Sequence, residues 1–180
     1  MIILFNKPFN VLSQFTDNKK IIVSRGNLSD YIDVPNVYPA GRLDKDSEGL
    51  LILTDQGKLQ QKISDPKYKM TKTYWVQIEG NIAEDSLNNL RYGVQLKDGM
   101  TRKAIVKRIK QPHNIWLRNP PIRERKNTPE KWIEIIISEG KNRQIRRMTA
   151  AVGHPTLRLI RTRIGDWHLN DLQNGTYKIL

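Results

Sequence analysis

The pattern of apolar and polar positions predicts short, buried strands in the first third of the chain. Ile2–Phe5 and Leu50–Leu53 are uninterrupted apolar runs, which is typical of strands that are covered on both faces. Thr54 or Asp55 follows the second run and is predicted to cap a helix that continues to about Ser64. A long, turn-rich region joins the two strands.

The remainder of the chain alternates more regularly between strand and helix patterns. The predicted strands are 73–79, 102–110, 132–138 and 156–164, and the predicted helices are 83–92 and 142–152. Their order is strand, helix, strand, strand, helix, strand, which is the split unit of ferredoxin-like sheets. A closing strand is predicted at 176–180 and could return to either part of the chain.

The charge is distributed unevenly along the 180 residues. Thirty-one Lys and Arg side chains against 18 Asp and Glu give a net charge of +13. Residues 1–60 are neutral, whereas residues 61–120 carry +7 and residues 121–180 carry +6. This distribution predicts a neutral lobe over about 1–66 and a basic lobe over about 67–180. The basic excess favours a polyanionic partner, nucleic acid before a membrane surface, although a solvated basic face is an alternative.

Several classes of chemistry are excluded by residues that the sequence lacks. It has no cysteine, which excludes disulfide scaffolds, thiolate nucleophiles and cysteine-based zinc sites and fits a reducing cytoplasm. It contains no phosphate-binding P-loop, dinucleotide-binding glycine motif or nucleophile elbow. No run approaches the roughly 20 apolar residues that cross a bilayer. Among the kinds of chemistry considered, the one that remains is carboxylate chemistry without an obvious cofactor.

A cluster of acidic residues precedes the second apolar strand. Asp44, Asp46 and Glu48 lie close enough in sequence to bind a divalent cation, but Arg42 and Lys45 are interleaved with them and dilute the negative field. A second interpretation makes Asp44 a single reactive carboxylate that a nearby guanidinium keeps ionised. A third is an ordinary turn with an aspartate at a capping position. The spacing alone leaves all three open.

The strongest basic run, Glu139–Met148, spans the end of a strand, a glycine turn and the start of a helix. Backbone N–H groups of the first helical turn, together with Lys141 and Arg143, predict an anion site. Arg143 and Arg147 are four residues apart and are predicted to share a helix face. Arg146 is predicted to point elsewhere, which indicates a different role. A solvated basic helix is the alternative.

Four segments, spread along nearly the whole chain, occur in the same order as a known set of motifs. They are Asn6-Lys7-Pro8, Gly41–Asp44 with Ser47–Thr54, Lys72-Thr73-Tyr74, and Glu139–Met148. Together they resemble the motifs of the pseudouridine synthases that modify ribosomal RNA. Two further stretches, 118–126 and 157–161, resemble the branch that acts on a single site of large-subunit ribosomal RNA. The resemblance implies an α+β fold, with a mixed, largely antiparallel sheet and flanking helices in two lobes around a central cleft.

The resemblance also implies roles for single residues. Asp44 matches the essential aspartate, which attacks or deprotonates the ribose while the uracil–ribose bond breaks and the base turns to rejoin through carbon. Tyr74 matches the tyrosine that stacks on the target uracil and is a candidate to assist proton removal. Arg146 matches the basic residue that pairs with the aspartate. Arg42 matches the arginine that helps to hold the target base out of its helix.

The remaining expectations concern RNA, partners and extent. Besides Arg42, the residues expected to contact RNA are Lys72, Arg123, Arg125, Lys141, Arg143 and Arg147. An isomerisation needs no redox cofactor, so we expect neither a cofactor nor a metal. The expected partner is large-subunit ribosomal RNA or an assembling ribosomal particle. The protein itself is expected to be a cytoplasmic monomer that does not bind a membrane. We expect one catalytic domain over 1–180, without a preceding RNA-binding module.

Three other functions are left open by the residues themselves. A non-catalytic RNA-binding factor for ribosome assembly would explain the basic lobe but not the combination of Asp44, Arg42 and Tyr74. A metal-dependent nuclease could use the acidic cluster, and a chelator would separate it from an isomerase. A pseudouridine synthase could also act on a different RNA.

Overall fold

The computed structural model describes residues 1–17, 25–123 and 128–180, which form two compact units. Unit 1 consists of 1–70 and 161–180, and unit 2 consists of 71–160. In chain order the strands are β1 (Ile2–Lys7), β2 (Tyr38–Pro39), β3 (Glu48–Thr54), β4 (Lys72–Glu79), β5 (Gln95–Leu96), β6 (Gly99–Met100), β7 (Ile105–Ile109), β8 (Glu130–Ile137), β9 (Thr156–Ile164), β10 (Trp167–His168) and β11 (Tyr177–Ile179). The α-helices are α1 (Gly57–Ser64), α2 (Glu84–Tyr92) and α3 (Gln144–Ala151). The chain passes from unit 2 into unit 1 within β9.

Unit 1 is built on the two apolar runs that the sequence predicts as strands. β1 lies between β11 and β3 and is antiparallel to both, and β2 also pairs with β3. Every residue of β3 is buried, as expected for an uninterrupted apolar run. Ile3, Phe5, Leu51 and Leu53 form the core together with Leu28 from a short 3-10 helix. β1 runs two residues beyond its predicted end, and both added residues are buried polar side chains.

Unit 2 confirms the predicted order of strand, helix, strand, strand, helix, strand. β4 and β7 are each antiparallel to β8, so they are parallel to one another, and β9 lies next to β4 in the sheet order. α2 connects β4 with the strands that lead to β7 and ends at Gly93, as predicted. Leu87 and Leu90 are its buried residues, and they lie three apart as a helix face requires.

The structure also differs from the predicted elements elsewhere. The strands β2 and β10 and the hairpin β5–β6 were not predicted, because two-residue strands are too short to show a period. α1 begins at Gly57 after Gln56, and Thr54 Oγ1 accepts a hydrogen bond from the Gln56 N–H instead of capping the helix itself. The strand predicted at 102–110 covers only 105–109.

The C-terminal segment also differs from the predicted lobes. Residues 161–180 belong to unit 1 because β11 pairs with β1 there. Unit 2 carries eighteen Lys and Arg against eight Asp and Glu, and thus +10 of the net charge of +13. Within the described residues, every helix is too short or too polar to cross a membrane.

Gly93 is the position where a side chain would disturb unit 2 most directly. Its φ is +124°, and a Cβ atom would lie 2.6 Å from the carbonyl oxygen of Thr101. We expect Gly93→Ala to lower the free energy of unfolding by about 1–3 kcal/mol, because both the backbone conformation and the contact are unfavourable. Urea denaturation followed by circular dichroism measures the loss.

The matched control is Gly57→Ala at the start of α1, where a Cβ atom would meet nothing within 4 Å. The free energy of unfolding should be unchanged there, or raised by up to about 1 kcal/mol, because alanine favours a helix. Equal effects of the two substitutions would contradict the geometry at Gly93.

Candidate active site

The segment that carries Asp44 lies in unit 1, between β2 and β3, and belongs to no helix or strand. Gly41 and Gly49 flank it with φ values of +80° and +99°, which glycine adopts at little cost. Within it, the Ser47 N–H donates to the Asp44 carbonyl oxygen at 3.0 Å and closes a turn. The Asp44 side chain is half-buried. The candidate reactive carboxylate therefore stands at the start of a turn that lies between two glycines.

Lys7 ends β1 with a side chain that is completely buried. Its Nζ donates hydrogen bonds to the carbonyl oxygens of Pro8 and Val11 at 2.8 Å, and a longer one to that of Lys45 at 3.5 Å. The Asn10 N–H donates to the same Lys45 oxygen at 2.6 Å. Lys7, a residue of the motif Asn6-Lys7-Pro8, thus contacts the backbone of Lys45, the residue that follows Asp44.

The charge state of Lys7 depends on a balance between burial and its charged neighbours. Burial lowers the pKa of Lys7 from 10.5 to about 7, because an ammonium loses its hydration there. The carboxylates of Glu48, Asp46 and Asp44 oppose this change, and the guanidinium of Arg161 adds to it. Lys7 is therefore close to its titration point near neutral pH.

Two further buried side chains bind the backbone around Asp44. Ser13 forms hydrogen bonds with both the N–H and the carbonyl group of Leu43. Arg161, on β9, donates to the carbonyl oxygens of Arg42 and Leu50. The Arg42 side chain itself is exposed and donates to Gln14 Oε1 at 3.2 Å. Its exposure suits the role that the resemblance implies.

Unit 2 holds the second predicted group on β4. Lys72 and Tyr74 are two residues apart, so their side chains lie on the same face of the strand. They pair with Ile137 and Ile135 of β8. Tyr74 is buried, with 8% of its surface exposed, whereas Lys72 is half-buried. The ring of Tyr74 is thus held by the sheet.

A buried carboxylate organises the turn before α3. Glu139 Oε1 accepts hydrogen bonds from the Arg102 N–H at 2.8 Å and from Gln144 Nε2 at 2.6 Å. Gln144 Oε1 in turn accepts from the Lys141 N–H at 3.0 Å. The side chain of Gln144 therefore links Glu139 to the backbone of Lys141 and closes the turn before α3.

The prediction that Arg143 and Arg147 share a helix face is wrong. Arg143 precedes the helix with a φ of +47°, in the left-handed region, so its side chain does not follow the helical period. Its carbonyl oxygen accepts the Arg147 N–H at 3.1 Å, but only Arg147 lies within α3. Arg146 also lies in α3 and is half-buried, whereas Arg143 is exposed.

Two of the predicted RNA-contacting cations bind the turn of the β5–β6 hairpin. Arg147 forms a two-pronged ion pair with Asp98, at 2.8 and 3.2 Å. Lys141 Nζ donates to the carbonyl oxygens of Asp98 and Met100 at 3.4 and 3.5 Å. The Arg147 guanidinium holds the pKa of the Asp98 carboxyl below its usual value. A phosphate that binds Arg147 would therefore compete with Asp98.

The proline-rich segment 112–121, which follows β7, is contacted by two arginines. Arg118 Nε donates to the Pro120 carbonyl oxygen at 2.8 Å. Arg158, on β9, donates to the Trp116 carbonyl oxygen at 2.9 Å and lies over the Trp116 ring, 5.6 Å from its centre. Arg123 is exposed. Arg125 lies outside the described residues.

The predicted site residues are divided between the units. Unit 1 holds Arg42 and Asp44, and unit 2 holds the other described ones: Lys72, Tyr74, Arg123, Lys141, Arg143, Arg146 and Arg147. The pairing of Asp44 with Arg146 stays a prediction. Over 1–17, 25–123 and 128–180, no group of three or more His, Asp and Glu side chains could hold a metal ion.

Sequence reasoning assigned no role to five buried polar residues that organise these segments: Lys7, Ser13, Glu139, Gln144 and Arg161. A signal was present for two of them. Lys7 follows an apolar run directly, and Arg161 interrupts the apolar pattern of a predicted strand. A charged residue in such a position needs partners, because burial without them is costly.

The chain belongs to the RNA pseudouridylate synthase family, whose profile matches residues 1–151. It is therefore an isomerase, and both the family resemblance and the α+β fold class are confirmed. In a solved pseudouridylate synthase, 28% identical, the same fold aligns with a TM-score of 0.79 over 99% of this chain and 69% of that one.

Relatives of high identity carry a more specific name. The ribosomal large subunit pseudouridine synthase E of Vibrio parahaemolyticus is 56% identical over 98% of this chain and 72% of the relative. The protein of the same name from Xanthomonas axonopodis pv. citri is 52% identical over 96% of this chain and 90% of the relative. The ribosomal large subunit pseudouridine synthase B of Bacillus subtilis is more distant, at 34% identity over 96% of this chain and 64% of the relative.

The pKa of Lys7 predicts how stability depends on pH. Between about pH 7 and 10.5 the unfolded chain holds a proton that the folded chain has released, so the free energy of unfolding rises with pH. Lys7→Met removes this contribution while it also leaves carbonyl groups unpaired at every pH. We expect the wild type to gain about 2 kcal/mol over Lys7→Met between pH 7 and 9.

Urea denaturation of both proteins at pH 6.5, 7.5 and 9 tests this expectation. Lys178→Met, which removes an exposed lysine from β11, is the matched control for the loss of one positive charge. A difference between wild type and Lys7→Met that does not change with pH would show that Lys7 keeps its proton throughout.

Proposed function

We propose that this protein converts one uridine of large-subunit ribosomal RNA to pseudouridine, with Asp44 as the essential carboxylate. The observation that carries the proposal is the half-buried Asp44 at the head of a turn whose neighbouring backbone is bound by buried side chains. The names of the most similar relatives support the choice of RNA.

The reaction is an isomerisation, so its atoms balance without a second substrate. The bond between the ribose C1′ and the uracil N1 breaks, the uracil turns, and a new bond joins C1′ to C5. The hydrogen at C5 is lost, and N1 ends with a proton. Asp44 either attacks the ribose or removes a proton from it, and both routes need the ionised carboxylate.

The other residues carry the roles that the family resemblance implies. Arg146 pairs with Asp44 and keeps it ionised when RNA excludes water, because an opposite charge favours the charged form. Arg42 helps to hold the target nucleotide out of its helix, which costs a few kcal/mol. Stacking of the uracil on Tyr74 recovers part of this cost. The sheet that holds the Tyr74 ring supports this assignment.

The basic charge of unit 2 supplies affinity for the RNA backbone. Unit 2 carries a net charge of +10, and phosphate contacts of this kind do not depend on sequence. Such a surface suits a non-catalytic assembly factor equally well. The two functions are separated by Asp44, which only the enzyme requires.

Replacement of Asp44 by Asn tests the catalytic assignment. Asp44→Asn keeps the size and removes the charge, so we expect isomerisation to become undetectable while the Kd for RNA changes by no more than a few-fold. The assay follows tritium release from 5-tritiated uridine in a ribosomal RNA transcript. Asp55→Asn, an exposed aspartate at the end of β3, is the control and should retain full activity. Substantial turnover by Asp44→Asn would refute the assignment.

Neighbouring arginines of α3 are expected to differ in their effects. Arg146→Ala should reduce the single-turnover rate at saturating RNA far more than it weakens RNA binding, because it leaves the carboxylate without its partner. Arg147→Ala should weaken binding and lower the salt slope by roughly one, with little change in the saturated rate. Equal losses of rate in both variants would contradict these roles.

The ion pair with Asp98 gives a further control for Arg147. If Arg147 contacts phosphate, Asp98→Asn should strengthen RNA binding and steepen its salt dependence, because it removes the competing carboxylate. Binding that is unchanged in Asp98→Asn and weaker in Arg147→Ala would indicate that the ion pair, and not the free guanidinium, is the group that supports binding.

A further inference from the structure

The carbonyl oxygens of Arg42–Lys45 are all bonded although the segment belongs to no regular element. Each of its four carbonyl oxygens accepts a hydrogen bond. In order, the donors are Arg161 Nη1, Ser13 Oγ, the Ser47 N–H, and the Asn10 N–H together with Lys7 Nζ. Only the Ser47 bond is local. The other donors reach this segment from distant parts of unit 1, so the position of Asp44 depends on them.

Ser13 supplies the hydrogen bonds that a neighbouring strand would give to Leu43, the residue before Asp44. Its hydroxyl donates to the Leu43 carbonyl oxygen at 2.8 Å and accepts from the Leu43 N–H at 3.0 Å. Ser13 is 3% exposed and Leu43 is 7% exposed, so water cannot readily replace these bonds. One side chain therefore fixes both backbone polar groups of Leu43, the residue beside Asp44.

Arg161 binds the backbone of Arg42, the residue before Leu43. Its Nε donates to the Leu50 carbonyl oxygen at 2.8 Å, and its Nη1 donates to that of Arg42 at 3.4 Å. The first bond joins it to β3 and the second joins it to the start of the Asp44 segment. The guanidinium thus links the start of the segment to β3.

The burial of Arg161 is more costly than packing alone would justify. It is 3% exposed, and its Nη2 has no hydrogen-bond partner among the described residues. It also lies near a second buried basic side chain, Lys7, and its charge helps to lower the pKa of Lys7. An incompletely satisfied charge at such a place indicates a function that offsets the cost.

We propose that Ser13 and Arg161 are positioning residues that hold the Asp44 carboxylate in its reactive location. This inference rests on the proposed function, because it takes Asp44 as the reacting group. A reacting carboxylate that is misplaced by about 1 Å can lose about 100-fold in rate. Both side chains are too buried to offer a binding surface to RNA, so their effect should fall on the rate and spare the affinity.

The test measures the single-turnover rate and the Kd for RNA separately. Ser13→Ala and Arg161→Met should each lower the rate at saturating transcript by about 10- to 100-fold. Their Kd for the transcript should stay within about two-fold of wild type. Arg161→Lys should recover part of the rate, because an ammonium can still donate to one of the two carbonyl groups.

Two controls separate positioning from a general loss of stability. Arg163→Met changes an exposed arginine two residues further along β9 and should keep the wild-type rate. Ile32→Val removes a methyl group from the core of unit 1 and should lower the urea midpoint without lowering the rate. All rates are measured at a temperature where circular dichroism shows each variant to be folded.

The possible results divide cleanly. The proposal would be overturned if the rates of Ser13→Ala and Arg161→Met lay within two-fold of that of Ile32→Val. It would also be overturned if both variants lost rate only in proportion to a loss of RNA affinity. Should Arg161→Met fail to fold, Ser13→Ala and Arg161→Lys decide the question. Failure of the proposed function looks different: Asp44→Asn would then remain active, whatever Ser13→Ala does.

Discussion

The buried ammonium group of Lys7 constrains the whole of unit 1. Lys7 ends a strand whose apolar residues form the core, so the side chain cannot reach water without pulling β1 out of the sheet. A buried cation must find oxygen partners, and those of Lys7 are carbonyl groups of Pro8, Val11 and Lys45. These partners exist only when two loops fold over the end of β1. One side chain therefore connects the core strand β1 with the segment beside Asp44.

Unit 2 uses a buried anion for the same purpose. Glu139 binds the Arg102 N–H and the Gln144 amide, and this arrangement sets where α3 begins. The helix then carries its arginines at fixed positions on a unit with a large positive charge. Part of that charge is already engaged, as Arg147 with Asp98 illustrates. The net charge of a unit therefore overstates the number of cations that can meet phosphate, and the salt slope measures the remainder.

The parts of this molecule that local patterns encode were predictable, and those that distant contacts create were not. Apolar runs and alternation located β3, β4, β8 and β9 within a few residues, and the motifs located Asp44. Ser13 gave no comparable signal, and the pattern around Arg161 showed only that it needs partners, because their bonds to the Asp44 segment span 30 and 119 positions of the chain. The error at Arg143 has a local cause. A single left-handed residue at the start of α3 breaks the helical period that the prediction assumed.

The Asp44 segment combines a bonded backbone with the exposed side chain of Arg42, and the proposed reaction would use both. The carbonyl oxygen of Arg42 accepts a hydrogen bond from buried Arg161, while the Arg42 guanidinium lies at the surface beside Gln14. In the proposed isomerisation the ribose stays in place relative to the carboxylate, whereas the uracil detaches, turns and rejoins. A fixed carboxylate lowers the entropy that the bond-breaking step must lose. A surface arginine can follow the RNA as the nucleotide leaves its helix. In the proposed reaction, Arg42 and Asp44 perform these two tasks from positions two residues apart, so the carboxylate would meet the ribose where the arginine opens the RNA.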